Sequence, residues 1–168
     1  MKTLYIVRHA KSSWDVMGQP DEERPLNERG KKDAPEMGKR LKDKVSAIDV
    51  FISSPAKRAF RTARHFIKQF GGKKKDIIVE DKLYPGGISD FYEVIATLKN
   101  KHDSAAMFAH NPGVTDFVNT LTDQRIDNMP TCSVFGVKAD IQSWTEFRDA
   151  QKEFVLFDMP GNTAASAD

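Results

Sequence analysis

The fold class predicted by this sequence is a three-layer α/β sandwich: a mostly parallel central sheet with helices on both faces. Three observations predict it. Six short runs are rich in apolar residues, and several are apolar without alternation, as strands covered on both faces are. Segments with helical periodicity lie between these runs, and such alternation implies a sheet flanked by helices. The length, 168 residues, suits one domain with a substantial core.

TLYIVR (3–8) reads as the first strand. LNERGKKDAPEMGKRLKDKV (26–45) is helical, with Pro35 in its middle leaving the start of the helix open. DVFISS (49–54) is the second strand. SPAKRAFRTARHFIKQF then places Ala56, Ala59, Phe60, Ala63, Phe66, Ile67 and Phe70 on one helical face, with Ser54 as N-cap and Pro55 at the first helical position. Gly71-Gly72-Lys73-Lys74-Lys75 is a basic loop before the strand DIIVE (76–80). SDFYEVIATLKN follows as a helix with Asp90 and Glu93 as a capping pair and Phe91, Val94, Ile95 and Leu98 facing inward. The strand SAAMFAH (104–110) leads to NPGVTDFVNTLTD, a helix with Asn111 as cap and Pro112 in its first turn. Two further strands, SVFGVKA (133–139) and EFVLFDM (153–159), close the domain. A single domain over 1–160 is expected, with the small polar residues of 161–168 as a frayed tail.

Apolar residues are 39% and charged residues 30%, the balance of a soluble globular chain. With 26 basic and 24 acidic residues the net charge is +2, too even for a dedicated nucleic-acid binder. No apolar run approaches the roughly 20 residues of a membrane span, and no signal-peptide core is present. Neither nucleic acid nor membrane is expected as a partner. One cysteine, Cys132, permits no internal disulfide, and cytoplasm is the expected location.

The chemistry gathers at strand ends. Of four histidines, His65 and His102 read as surface residues. His9 and His110 each end a hydrophobic strand, and ligands in such folds bind beyond the carboxyl ends of the strands. Arg8 precedes His9, and Arg58 lies in the first turns of the helix after DVFISS, near the same edge. Arg24 is a third candidate; as a loop residue it fits a surface charge nearly as well. Lys57, Arg61, Arg64 and Lys68 fall at the spacing of a solvated stripe. Guanidinium forks match phosphate oxygens, and cations beside an imidazole keep it neutral. Arg8 and His9 together therefore read as an anion holder and a nucleophile for phosphorus.

Other phosphate chemistries fail on inspection. A cysteine phosphatase needs an arginine six positions after its cysteine, and Cys132 meets Lys138 there. Cys132 reads as a core residue. There is no P-loop, no aspartate pair of phosphoacceptor type and no cluster with metal-ligand spacing, so no metal and no cofactor are expected.

LYIVRHAKSSW, RPLNERGKKDAPEMG, DVFISSPAKRAFRTA, KLYPGG, HNPG and MPTCSVFGV, in this order over most of the chain, resemble the histidine phosphatase superfamily. That family has a phosphoglycerate-mutase-like fold, and within it the chain is similar to the small SixA-type phosphohistidine phosphatases. The resemblance implies that Arg8 and His9 form the Arg-His pair, that Arg58 is the second phosphate-binding arginine and His110 the second histidine, and that Arg24 adds a positive contact to substrate. Ala10 stands where the family signature has glycine. Many members also use an acidic proton donor; Glu80 and Asp81, just before KLYPGG, are the acidic residues nearest that place, and both also read as strand-end charges.

The expected function is a metal-independent phosphatase acting through phosphohistidine on His9, with a phosphorylated substrate such as a phosphohistidine protein. The rival readings are a small-molecule phosphomonoesterase or mutase of the same superfamily, and a phosphate-binding module without turnover.

Overall fold

A computed structural model describes residues 1–162. Its ten main elements are β1 (Lys2–Arg8), α1 (Glu28–Lys44), β2 (Val50–Ser53), α2 (Lys57–Gln69), β3 (Ile78–Val79), α3 (Ile88–Ala96), β4 (Ser104–Ala109), α4 (Gly113–Val118), β5 (Val134–Ala139) and β6 (Lys152–Asp158). They form one six-stranded sheet in the order β3-β2-β4-β1-β5-β6. The pairs β1–β4, β2–β4 and β2–β3 are parallel. The pairs β1–β5 and β5–β6 are antiparallel, so β5 alone runs against the others. The predicted sandwich and its six strands are present. Of the expected tail, residues 163–168 lie outside the described residues.

The continuous apolar runs explain the two-sided sheet. Successive side chains of a strand point to opposite faces. Leu4 and Ile6 of β1, Val50 and Ile52 of β2 and Met107 of β4 enter one core with Phe91 and Ile95 of α3 and Phe117 of α4. Tyr5, Val7, Phe51 and Phe108 enter the other, with Met37 and Leu41 of α1 and Phe66 and Ile67 of α2. Burying a side chain of this size stabilises the fold by roughly 1.5–3 kcal/mol. No helix among the described residues is long and apolar enough to cross a membrane.

Helix starts differ from expectation in instructive ways. Asn27 caps α1, its Oδ1 accepting from the Gly30 amide at 2.9 Å, and the helix runs through Pro35. Proline removes one interior hydrogen bond, a loss that packing of Ala34, Met37 and Leu41 offsets. Ser54 is not the cap of α2: Ala56 stays extended (φ −60°, ψ 134°) and the helix begins two residues later than the Ser-Pro pair predicts. Asp90 reaches back to the Gly87 amide at 2.9 Å, whereas Glu93 pairs with Lys82. Asn111 does not cap α4; its Nδ2 donates to Asn128 Oδ1 and to the Met129 carbonyl.

Two glycines bring distant loops together. A Cβ on Gly30 would lie 2.1 Å from the Lys11 carbonyl oxygen, and one on Gly113 would lie 2.1 Å from the Gly86 carbonyl oxygen. These contacts seat the start of α1 on the loop after β1, and the HNPG turn on the KLYPGG loop.

Candidate active site

Strand register assembles the site. β1 and β4 pair with Arg8 opposite Ala109, and the His9 amide donates to the Ala109 carbonyl at 3.1 Å. His9 and His110 thus leave the sheet side by side, ring centroids 5.1 Å apart. β2 flanks β4, and the Ser54 amide donates to the Phe108 carbonyl, which puts the β2–α2 loop and Arg58 beside His110.

His9 has a defined tautomer. Its Nδ1 lies 2.7 Å from the Ala10 carbonyl, which can only accept, so Nδ1 carries the proton and Nε2 the lone pair. Burial pulls its pKa down to about 4; the bond to Ala10 opposes this, and the charges of Arg58, Arg8 and Arg24 add to it. His110 falls to about 3, by burial first and then by His9 and Arg58. Both imidazoles are neutral near pH 7. The Ser54 hydroxyl accepts from the Ala56 amide at 3.1 Å and lies 2.8 Å from His110 Nε2. Donating its hydrogen to Nε2 leaves His110 Nδ1 as the N–H.

The arginines are held, Arg24 and Arg58 buried and Arg8 half-buried. Arg58 is 5% exposed; its Nη1 and Nη2 donate to the Asp21 carbonyl at 2.7 Å and to Asp21 Oδ2 at 2.9 Å. Arg24, 8% exposed, donates to Ser12 Oγ at 2.7 Å and Asp21 Oδ1 at 3.0 Å, with its guanidinium 3.5 Å from the centroid of the exposed Trp14 ring. Arg8 Nη1 donates to the Met129 carbonyl, which Asn111 also holds. Among the described residues, three buried side-chain atoms have no hydrogen-bond partner: Arg8 Nε, Arg58 Nε and His110 Nδ1. All three belong to this cluster. Native proteins seldom leave buried donors unpaired, and the three residues that carry these atoms line one cavity of about 240 Å³ together with His9, Arg24, Lys11 and Trp14.

All five sequence-predicted site residues, Arg8, His9, Arg24, Arg58 and His110, line this cavity. Glu80 and Asp81 do not. Glu80 lines a separate apolar cleft with Ile52, Val94 and Leu98, and Asp81 opens a short 3-10 turn. The KLYPGG loop sends in Tyr84 instead, whose hydroxyl donates to Asp21 Oδ2 at 2.7 Å and whose ring meets His110 edge-on at 5.4 Å. The carboxylate at the site is Asp21, which the sequence reading missed. Its only sequence signal is a place three residues before Arg24. Burial acts to raise its pKa, but hydrogen bonds from Tyr84, Arg58 and Arg24 outweigh that and hold it well below the usual carboxylate range. Trp14, Ser54 and Tyr84 also escaped. Cys132 is buried, as expected, yet it precedes β5 in a turn, with φ +62°, and its amide donates to the Arg8 and His9 carbonyls at 3.0 and 3.1 Å. Among the described residues no group of three or more His, Cys, Asp or Glu is placed to hold a metal ion.

Residues 4–86 match the family model described as histidine phosphatase superfamily (branch 1). That segment holds Arg8, His9, Arg24 and Arg58. Over that segment, just under half of its length, the chain is similar to the histidine phosphatase superfamily. Among curated relatives, phosphoserine phosphatase 1 of Hydrogenobacter thermophilus is 36% identical over 89 residues, 49% of this chain and 38% of the relative. A 2,3-bisphosphoglycerate-dependent phosphoglycerate mutase of Bartonella tribocorum is 32% identical over 83 residues, 46% of this chain and 38% of the relative. The chain therefore spans less than half the length of these relatives. Solved structures match over nearly the whole domain. The SixA protein of Agrobacterium tumefaciens superposes with a TM-score of 0.80 at 23% identity, covering 95% of this chain and 98% of that one. The protein histidine phosphatase SixA in complex with tungstate superposes with a TM-score of 0.76 at 22% identity, covering 92% and 95%. Against the superfamily's Arg-His-Gly signature, Ala10 is accommodated because its methyl is fully buried in the α1–α2 core, while its amide donates to Thr62 Oγ1.

Proposed function

We propose that this protein is a metal-independent phosphatase of the SixA type that hydrolyses phosphohistidine through a phosphohistidine intermediate on His9. The observation that carries the reading is the gathering of Arg8, Arg24, Arg58 and His110 around a neutral His9 in one cavity. A phosphoryl group supplies the acceptor oxygens that these donor-bearing side chains match.

In the first step the His9 Nε2 lone pair attacks phosphorus and forms the P–N bond while the bond to the leaving group breaks. Arg8, Arg58 and His110 hold the equatorial oxygens, and Arg24 adds positive charge at the rim. In the second step water attacks the phosphoryl-His9, the P–N bond breaks, and phosphate and neutral His9 result. The guanidinium groups balance the phosphoryl charge, so activity is expected to survive a chelator.

Asp21 bears on which bond is cleaved. An alkoxide leaves poorly unless protonated, and a general acid for that task is worth roughly 10²–10⁴-fold. Three donors hold Asp21 ionised, which makes it a poor acid. A phosphohistidine protonated on its free ring nitrogen releases neutral imidazole and needs little such help. The second reading, a phosphomonoesterase, draws on the match to phosphoserine phosphatase 1, whose named substrate is an alkyl phosphate. Catalytic efficiency on a phosphohistidine peptide, an aryl phosphate and a sugar phosphate separates them. The expected order is phosphohistidine and aryl phosphate above sugar phosphate; a sugar phosphate as best substrate overturns the proposal in favour of the second reading.

A further inference from the structure

A second cationic feature lies beside the catalytic cavity. Between α1 and α2 runs a groove of about 360 Å³, walled by Lys31 on one side and by Arg61, Arg64, His65 and Lys68 on the other, with Leu26 between them. What the sequence suggests is a solvated stripe on one helix is one wall of a groove, because Lys31 faces it from α1. No carboxylate lines it. Lys31 has a 3.4 Å pair with Glu28, both exposed, while Arg61, Arg64 and Lys68 have no ion pair among the described residues. The crowding registers on His65, whose pKa is lowered by burial and then by Arg64, Lys68 and Arg61.

The groove begins where the catalytic rim ends. Leu26 forms a bridge with Ser12, which lines the catalytic cavity, and Gly30 packs against the Lys11 carbonyl, with Lys11 on that same rim. The catalytic cavity, about 240 Å³, accommodates a phosphoryl group and a small leaving group, so the body of a protein substrate must lie outside it. Arg61 and Lys68 are seven residues apart, roughly 10 Å along a helix, the reach of about three extended residues.

We infer that the α1–α2 groove docks an acidic segment of the phosphoprotein whose phosphohistidine enters the catalytic cavity. This rests on the phosphohistidine-phosphatase reading. Continuity with the cavity favours a segment attached to the reacting group over a free polyanion. Exposed cations act chiefly on encounter and selection of partners, and salt weakens them.

The test uses two peptides with the same phosphohistidine, one flanked by a run of glutamates and one by glutamines. The wild-type protein is expected to favour the glutamate peptide by about tenfold in kcat/KM at low salt, mainly through KM, and to lose the preference near 0.5 M salt, where the screening length is only a few ångströms. In the variant Arg61→Glu/Lys68→Glu the ratio of glutamate to glutamine peptide is expected to fall to one or below. Fluorescence anisotropy with a labelled, unphosphorylated glutamate peptide reads the groove without turnover, and binding is expected to vanish in the same variant. If neither phosphohistidine peptide is hydrolysed, the substrate reading fails and anisotropy alone judges the groove. Equal kcat/KM for the two peptides in the wild type, or peptide binding unchanged by the charge reversal, overturns the inference. Tripolyphosphate binding to the groove without any preference for the glutamate peptide also overturns it, in favour of a free-polyanion site.

Discussion

The proposed active-site cavity and the α1–α2 groove each gather several cations and hold them in opposite ways. In the cavity Arg58 and Arg24 are 5% and 8% exposed, and each is fixed by hydrogen bonds to Asp21. In the groove Arg64 and Lys68 are exposed on flexible stems with no ion pair among the described residues. Fixed donors in a desolvated site are already in place when charge develops at phosphorus, so they act on the rate of the chemical step. Mobile, solvated cations reorganise around any partner, so they act on encounter and on partner choice. Equal charge in two settings suits two different kinds of work.

The largest expected effect breaks the cavity's half of this comparison at its centre. His9→Ala is expected to reduce turnover to background on every substrate. A brief reaction of the wild-type protein with labelled substrate is expected to leave an acid-labile, base-stable phosphate on His9. A label on Cys132, a serine or an aspartate would show another mechanism. Arg58→Ala comes next, with a loss on the order of a hundredfold or more in kcat, as for removal of one fixed charge-stabilising donor. Arg58→Lys is expected to recover little, because a point charge lacks the fork. A full recovery by lysine would mean that the cavity's cations act as loosely as those of the groove.

Acidity sharpens the contrast further. The His9 pKa is lowered to about 4, so a neutral imidazole persists well below the 6.5 of a free histidine. The acid limb of kcat/KM for the free enzyme is expected near pH 4, falling about tenfold per unit below it; a limb near 6.5 would show that His9 is solvated like a surface residue. Stability moves with the same sign. Between pH 6.5 and about 4 the unfolded chain takes up protons on His9 that the folded one refuses, and for His110 the window extends to about 3. Denaturation midpoints are therefore expected to fall across that range as pH falls. The smallest effect concerns Asp21, the carboxylate that occupies the donors of Arg58 and Arg24. Asp21→Asn removes a negative charge beside the cavity, and product inhibition by inorganic phosphate is expected to tighten by several-fold. Weaker inhibition would mean that the hold of Asp21 on the two arginines outweighs its competition with the phosphoryl group.

The sequence by itself determined the element types and the residue chemistry at strand ends. Continuous apolar runs such as LYIV and AAMF report burial on both faces regardless of which strands are neighbours, and His9 and His110 stand out because imidazoles end such runs. The five predicted residues lie within two residues of a strand end, near a helix start or in the loop after β1, where local pattern is informative. Other features required the fold. The order β3-β2-β4-β1-β5-β6, which sets His9 against His110 although about a hundred residues separate them, depends on long-range pairing that no local pattern encodes. Ser54 has the local look of a helix cap, and only the pairing of β2 with β4 turns its hydroxyl to His110. Asp21 resembles any loop carboxylate until Arg58, Arg24 and Tyr84 converge on it from α2, its own loop and the loop before α3. The stripe on α2 becomes a groove only because the close contact at Gly30 seats α1, and with it Lys31, across from Arg61. Periodicity reports what one element does with its own faces; which faces and loops then meet is decided by packing between residues far apart in the chain.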